Sequence, residues 1–482
     1  MNKPFQKFML FNASCVALAS CGGNAQEQKE KMNVLFFIVD DLRPELGCYG
    51  ADYMHTPNID SLAESGHRFT RSYCNIPVSG ASRASLLSGT RPTKENFVNF
   101  YASASVDNPT ATPISQWFRD QGYTTISNGK VFHNFNDWEN TWDDLWAPTL
   151  KCGKWTDYLT EENLEILKNI KTANATPYEA ADVAYNEYGD GKTADKTIAD
   201  LERLAKTGEP FFLACGFVKP HLPFNSPSNY WEYYNEDSIS LPDNYILPNK
   251  TIPQIAFAAQ HHSSELRGYY GMPQKGLLKE ETARKLIHGY RAGVTYTDDM
   301  VGKVMATLRK TGLDKNTVVV LIGDHGWLLG DHGIWCKHSN FETAMNTPMI
   351  IYSPEYKEDE KKQVDEIVEY VDLYPTICDL AGVDAPTHLE GASMRQLLDG
   401  NSEGWKNFAV SKYQNGTTVI VGDVFYTEWR NVKGKFLGEM LYDHSNDPDE
   451  NNNLAKDPKH KELLNKMRKE LVEKRGFDYP EQ

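Results

Sequence analysis

Asn33-Val34-Leu35-Phe36-Phe37-Ile38-Val39-Asp40-Asp41 joins an unbroken apolar run to a pair of carboxylates. A strand covered on both faces requires such a run, because alternation would leave one face in water. Phe211-Phe212-Leu213-Ala214, Val318-Val319-Val320-Leu321-Ile322 and Met349-Ile350-Ile351-Tyr352 repeat the pattern, and Tyr123 to Ser127 reads as a further strand. Between them, Thr56 to Ser65, Pro113 to Gln121 and Glu281 to Lys310 carry helical spacing. The alternation predicts an α/β fold with a large, mainly parallel central sheet flanked by helices. Sites in such sheets form beyond the carboxyl ends of the strands. Asp40-Asp41 and Asp324-His325 each follow an apolar run, so they stand where a site is expected.

Beyond about residue 400 the texture changes. Phe408-Ala409-Val410, Thr417 to Val421 and Val424-Phe425-Tyr426 predict a smaller C-terminal α+β subdomain with an antiparallel sheet, closed by a charged helix from Lys459 to Arg475. The expected division is 33–400 for the catalytic domain and 401–482 for the subdomain. Asn225 to Leu278, rich in Tyr, Pro, Asn and Ser, reads as an insertion that walls the pocket. A chain of 482 residues, 40% of them hydrophobic, suits one large core with a smaller companion. Its net charge of −16 argues against nucleic-acid partners and against gripping a long polyanion.

Residues 1–21 read as a targeting segment, set apart from the fold. Lys3 and Lys7 precede an apolar stretch from Phe8 to Ala19, which ends in Leu18-Ala19-Ser20-Cys21. This resembles a bacterial lipoprotein signal, with Cys21 the acylated residue and 22–32 a flexible tether; a plain secretory signal is the alternative. The expected location is therefore the bacterial periplasm or cell surface, lipid-anchored. The remaining cysteines are scattered without a CxxC pair, so zinc-finger and redox-motif readings find no support. Cys215 and Cys378 lie in apolar runs and read as buried thiols.

Ser79-Gly80-Ala81-Ser82-Arg83 opens an apolar helical pattern through Gly89. Residues four apart share a helix face, so Ser79 and Arg83 point at one group, and a helix N-terminus favours an anion there. Alone, this is equally a serine capping a surface helix. Asp40, Asp41, Asp324 and His325 offer hard oxygen donors and one imidazole to a divalent cation. Asp298-Asp299, inside a helical pattern, reads as structural or solvated. Lys130 and His133, His221, and Lys337 each follow a strand run, and together with Arg83 they form a plausible anion cradle.

These motifs resemble the type I (formylglycine-dependent) sulfatases of the alkaline-phosphatase superfamily, in the iduronate-2-sulfatase-like branch. The resemblance rests on Asn33 to Pro44, Leu46-Gly47-Cys48-Tyr49-Gly50, Thr56 to Asp60 and Ser79 to Pro92. It continues in Lys219 to Phe224, Gly323-Asp324-His325-Gly326-Trp327, Gly330 to Gly333, Leu441-Tyr442-Asp443 and Asp447-Pro448. It implies that Ser79 is the position oxidised to formylglycine and that Arg83 stabilises it. Asp40, Asp41, Asp324 and His325, with the modified Ser79, are implied as ligands of one Ca2+. Lys130, His133, His221 and Lys337 are implied as sulfate-binding and proton-transfer residues, with His221 preferred as the acid. A hydrated aldehyde offers two hydroxyls on one carbon: one attacks sulfur and expels the sugar alcohol, and collapse of the other releases sulfate by C–O cleavage.

The branch implies an exo-acting enzyme for 2-O-sulfate esters of (unsaturated) uronic acid at the non-reducing end of glycosaminoglycan oligosaccharides such as heparan or chondroitin sulfate fragments. A sulfatase-maturating enzyme is implied as a partner. Lys219, His261, His262, Asn99 and Tyr101 are candidates for binding the substrate carboxylate. Two departures from the commonest pattern stand out: serine replaces cysteine at 79, and Ala81 replaces proline. Ser79 is either native to a serine-type enzyme or a replacement for cysteine. The competing expectations are another sugar sulfate such as N-acetylglucosamine-6-sulfate, a phosphohydrolase or phosphonate hydrolase (for which no second metal set can be assembled), and a non-catalytic sulfoglycan-binding lipoprotein.

Overall fold

The computed structural model describes Met1 and residues 31–148, 157–169, 174–246, 251–257, 264–356 and 363–479. The expected signal segment and most of the tether lie outside the described residues, as do Cys152, His261 and His262.

The central sheet has eight strands: β1 (Asn33–Val39), β2 (His67–Phe69), β3 (Thr124–Gly129), β4 (Asp144–Trp146), β5 (Phe211–Phe217), β6 (Thr317–Gly323), β7 (Met349–Tyr352) and β8 (Gln363–Val364). Their spatial order is β8-β2-β7-β6-β1-β5-β3-β4. From β6 across to β4 every pairing is parallel, while β7 runs antiparallel to both β6 and β2. The sheet is therefore mainly parallel, as the apolar runs predict. Every residue of β5 and β6, and Val34–Val39 of β1, is buried, with helices covering the sheet. At roughly 1.5–3 kcal/mol per buried large apolar side chain, these strands are a principal source of stability.

Helices α1 (Pro57–Ser65), α2 (Ser79–Ser88), α3 (Ile114–Asp120), α4 (Gly189–Thr207), α5 (Glu280–Lys310) and α6 (Leu373–Ala381) flank the sheet. The carboxylate pair on α5 is structural: Asp298 accepts hydrogen bonds from the backbone N–H of Asn58 (3.2 Å) and Ile59 (2.7 Å) and so caps α1, while Asp299 accepts one from the Tyr230 hydroxyl (2.6 Å).

The C-terminal region forms a four-stranded antiparallel meander, β9 (Phe408–Tyr413), β10 (Gly416–Val421), β11 (Val424–Arg430) and β12 (Phe436–Asp443), followed by α7 (Lys461–Lys474). One face, including Ala409, Ile420, Phe425 and Tyr442, joins the main core. The other, including Val410, Val419, Tyr426 and Leu441, packs with Leu464, Met467 and Leu471 of α7. Sequence reasoning did not read α4 or β12. Cys215 and Cys378 are buried thiols, and no disulfide is found among the described residues.

Candidate active site

The parallel register sets the site. β1 lies between β5 and β6, so three carboxyl ends emerge side by side, with β3 next to β5. Asp40 and Asp41 follow β1, Asp324 and His325 follow β6, Lys130 and His133 follow β3, and His221 follows β5. The backbone of Asp41 takes the left-handed conformation (φ 61°), which an aspartate tolerates. The turn is held on both sides: Asp41 N–H donates to Asp324 Oδ1 (3.2 Å), and the Tyr290 hydroxyl donates to the Asp41 carbonyl (2.8 Å).

Helix α2 aims its first turn at these strand ends. Ser79 is buried, with its Oγ 3.1 Å from Asp40 Oδ1 and 2.8 Å from His325 Nε2. One turn on, Arg83 is wholly buried. Its Nε donates to Asp324 Oδ2 at 2.8 Å, and its Nη1 donates to the carbonyls of Lys130 and, at 2.9 Å, Val131. Its Nη2 has no hydrogen-bond partner among the described residues. Ala81 sits in the first helical turn, where proline is also accommodated, so the helix tolerates either residue there. Cys74 is buried, with its Sγ 3.9 Å from the Ala344 carbonyl, and does not line the site cavity.

Asp40, Asp41, Asp324 and His325 present ligand atoms within 4.8 Å of one another, all fully buried. Burial, together with the neighbouring carboxylates, pushes Asp41 well above the usual carboxylate range and Asp324 up to about 6. Asp40 is held well below that range: burial opposes ionisation, but the positive charges around it, Lys130 foremost, with Arg83 and Lys337, outweigh it. His325 shares Nδ1 with the Gly326 carbonyl (3.0 Å), an acceptor only, so Nδ1 carries the proton and Nε2 is left bare. Burial and Lys337 keep that ring neutral. Three crowded carboxylates and a neutral imidazole fit a hard divalent cation, which would relieve their repulsion at a stroke.

Above this cluster lies a cavity of about 490 Å³ lined by Ser79, Lys130, His133, Lys219, His221 and Lys337, among others. Lys130 Nζ pairs with Asp40 Oδ2. Lys337 Nζ lies 3.1 Å from Asp41 Oδ1 and 5.0 Å above the Trp327 ring; burial opposes its charge, but the carboxylates of Asp41, Glu265 and Asp40 raise it above the ordinary lysine range. The two histidines behave differently from the lysines. Burial and Lys130 push His133 down to about 3, and burial and Lys337 lower His221. Positive charge in the cradle therefore comes from Lys130, Lys337 and Arg83, with the imidazoles neutral. His221 Nδ1 shares a 2.5 Å contact with the Leu222 carbonyl, so it holds the proton and Nε2 is the working atom.

The expected carboxylate binders are not gathered into one subsite. Lys219 lines the cavity, but its Nζ donates to the carbonyls of His221 (3.2 Å) and Pro223 (2.6 Å), and burial lowers it to about 8. Its role here is to brace the His221 loop. Asn99 and Tyr101 are not on the cavity wall. The residue between them, Phe100, is, whereas Tyr101 is 75% exposed. The lining also includes the aromatic rings of Phe132, Phe135, Tyr188 and Tyr269 beside Phe100.

Sequence reasoning missed Glu265. It rises from the 225–278 insertion on a short turn, Ser264–Arg267, with Oε1 2.6 Å from Lys337 Nζ and 3.4 Å from His221 Nε2. Burial opposes its charge, but Lys337 and His221 hold the carboxyl well below its usual range. One acid in an irregular stretch, among 66 Asp and Glu, carries no signal that could have singled it out.

A family model described as Sulfatase matches residues 32–383, and one described as N-sulphoglucosamine sulphohydrolase, C-terminal, matches 330–476. The chain is 31% identical over 412 residues to iduronate 2-sulfatase of Mus musculus, covering 78% of this chain and 73% of that protein. It is 29% identical over 474 residues to a delta 4,5-hexuronate-2-O-sulfatase of Bacteroides thetaiotaomicron, covering 93% and 89%. A solved 2-O GAG sulfatase superposes with a TM-score of 0.70 at 25% identity over 92% of each chain. With the anion cradle set over buried carboxylates at the strand ends, these likenesses place the chain in the sulfatase family, as a sulfuric ester hydrolase.

Proposed function

We propose that the protein removes 2-O-sulfate from a terminal uronic acid, saturated or 4,5-unsaturated, at the non-reducing end of glycosaminoglycan oligosaccharides. It would act through formylglycine at position 79 and one Ca2+ held by Asp40, Asp41, Asp324 and His325. The observation carrying this reading is that Ser79, Lys130, His221 and Lys337 line one cavity above that carboxylate cluster. The uronate is suggested by relatives whose names specify 2-O-sulfated uronates.

Within this reading, formylglycine hydrate would supply a paired-hydroxyl nucleophile, and a cation held by the carboxylate cluster would supply charge for the sulfuryl oxygens. The remaining work falls to residues of the chain. Lys130 and Lys337 neutralise the sulfate, and Arg83 fixes Asp324 while its Nη2 lies 3.9 Å from Asp40 Oδ1. Lys337 Nζ, in place of the histidine expected as the acid, passes a proton to the leaving oxygen, and His221 Nε2, unprotonated on a ring anchored through Nδ1, accepts a hydrogen bond from the alcohol as it departs. His133, kept neutral, contributes hydrogen bonds to the sulfate rather than charge. Residues 1–21 suggest anchoring by acylated Cys21 in the bacterial periplasm or at the cell surface, and Ser79 requires a sulfatase-maturating enzyme.

The test is sulfate release by protein coexpressed with such a maturase. A 2-O-sulfated unsaturated disaccharide is expected to be desulfated far faster than a 6-O-sulfated N-acetylglucosamine. The reverse preference would assign another sugar sulfate. No release from either, with residue 79 fully modified, would end the proposal.

A further inference from the structure

Glu265 is an anion where a sulfatase needs cations, and the two halves of its carboxylate differ. Oε1 bridges Lys337 Nζ at 2.6 Å and His221 Nε2 at 3.4 Å, the two groups nearest the leaving oxygen in the reading above. Oε2 is shielded from solvent and accepts no hydrogen bond among the described residues, although the side chain as a whole keeps 22% exposure and lines the cavity. A shielded carboxylate oxygen without a donor is costly, whereas the same oxygen in a ligand complex is a strong acceptor. Because the side chain lines the cavity, a ligand seated there can bring the donor once the carboxylate turns Oε2 toward it. A sugar sulfate brings one at the right place, because a hydroxyl on the carbon next to the ester lies beside the leaving oxygen. A second sulfate or a carboxylate at that position would meet a like charge.

We infer that Glu265 is a specificity-determining residue: it orients Lys337 and His221 through Oε1 and reads a free hydroxyl vicinal to the sulfate ester through Oε2. Resting on the uronate reading, this names the group as the 3-hydroxyl, since the other neighbour of C2 is the glycosidic carbon. The preferred ligand is a 2-O-sulfated uronate bearing a free 3-hydroxyl, and 3-O-sulfated sugars are excluded. A site built around a buried acceptor discriminates strongly against ligands lacking the donor.

The experiment uses the unmatured Ser79 protein, which binds without turning over. Calorimetry compares a 2-O-sulfated unsaturated disaccharide with its 3-deoxy analogue, in wild type and in Glu265→Gln. Wild type is expected to favour the hydroxyl ligand by at least about tenfold, and Glu265→Gln to lose most of that preference while still binding the 3-deoxy sugar. Equal binding of the two ligands by wild type would overturn the assignment, whether or not the variant folds. So would a preference that survives in Glu265→Gln. No binding of either 2-O-sulfated sugar, alongside binding of 6-O-sulfated N-acetylglucosamine, would overturn the uronate reading itself and take the 3-hydroxyl with it.

Discussion

Arg83 shows how far one side chain can be committed. It is fully buried, neutralises Asp324, and ties two carbonyls after β3 to the first turn of α2. Arg83→Ala should therefore abolish turnover and also destabilise the fold by about 3–5 kcal/mol, because it strands a buried carboxylate; sulfate release and thermal melting read the two losses separately. Lys337→Ala should abolish turnover as well. Asp298→Asn, on a carboxylate that caps α1 and stands outside the metal cluster, should leave turnover near wild type while lowering the melting temperature. Loss of activity there would mean the metal set is misplaced. Single residues were legible where strand ends exposed them: a carboxylate pair closing an apolar run has no cheap structural explanation. The neutrality of His133 and His221 was not legible, because it arises first from burial, with Lys130 acting on His133 from its own loop and Lys337 brought to His221 from beyond another strand.

At the scale of elements, β3 and β5 approach so closely at their ends that glycine is required. Gly129 has φ 75°, and a Cβ at Gly216 would collide with the Lys130 carbonyl. Gly216→Ala should displace Lys130 and reduce kcat/KM by roughly tenfold or more, a size in keeping with misplacing one positioned charge; unchanged kinetics would show that the lysine need not be held there. The C-terminal sheet is tied to the rest through His444, which stacks on Phe425 at 3.7 Å and pairs with Glu342 (3.2 Å) and Glu450 (3.4 Å). Burial opposes its charge, but the two glutamates raise it to about 10. A raised histidine contributes stability that is fully present below its unfolded pKa of about 6.5 and lost as pH rises through the folded value. The melting-temperature gap between wild type and His444→Asn should therefore be widest near pH 6 and shrink toward pH 10; a constant gap would contradict this. Continuous apolar strands were legible because both their faces are buried. β12 was not, since it starts exposed at Phe436 and Leu437, and α4 opens with Gly189-Asp190-Gly191, which reads as a loop.

Over the whole molecule, net charge and local charge point in opposite directions. A chain of net charge −16 sets Lys130 and Lys337 on the wall of one cavity, with Arg83 buried behind them, and balances them with the buried carboxylates beneath. Such a surface repels long polyanions, which accords with the proposal that the pocket takes one sulfated end. Removing divalent cations with a chelator should slow hydrolysis, with recovery on adding Ca2+; full activity after verified metal loss would refute the metal assignment. All of this rests on residue 79 becoming an activated nucleophile. The most direct test is peptide mass spectrometry across Ser79 in protein coexpressed with a sulfatase-maturating enzyme. The account predicts a loss of about two mass units, the oxidation of hydroxyl to aldehyde that creates the nucleophile. An unmodified serine in protein that still releases sulfate would contradict it.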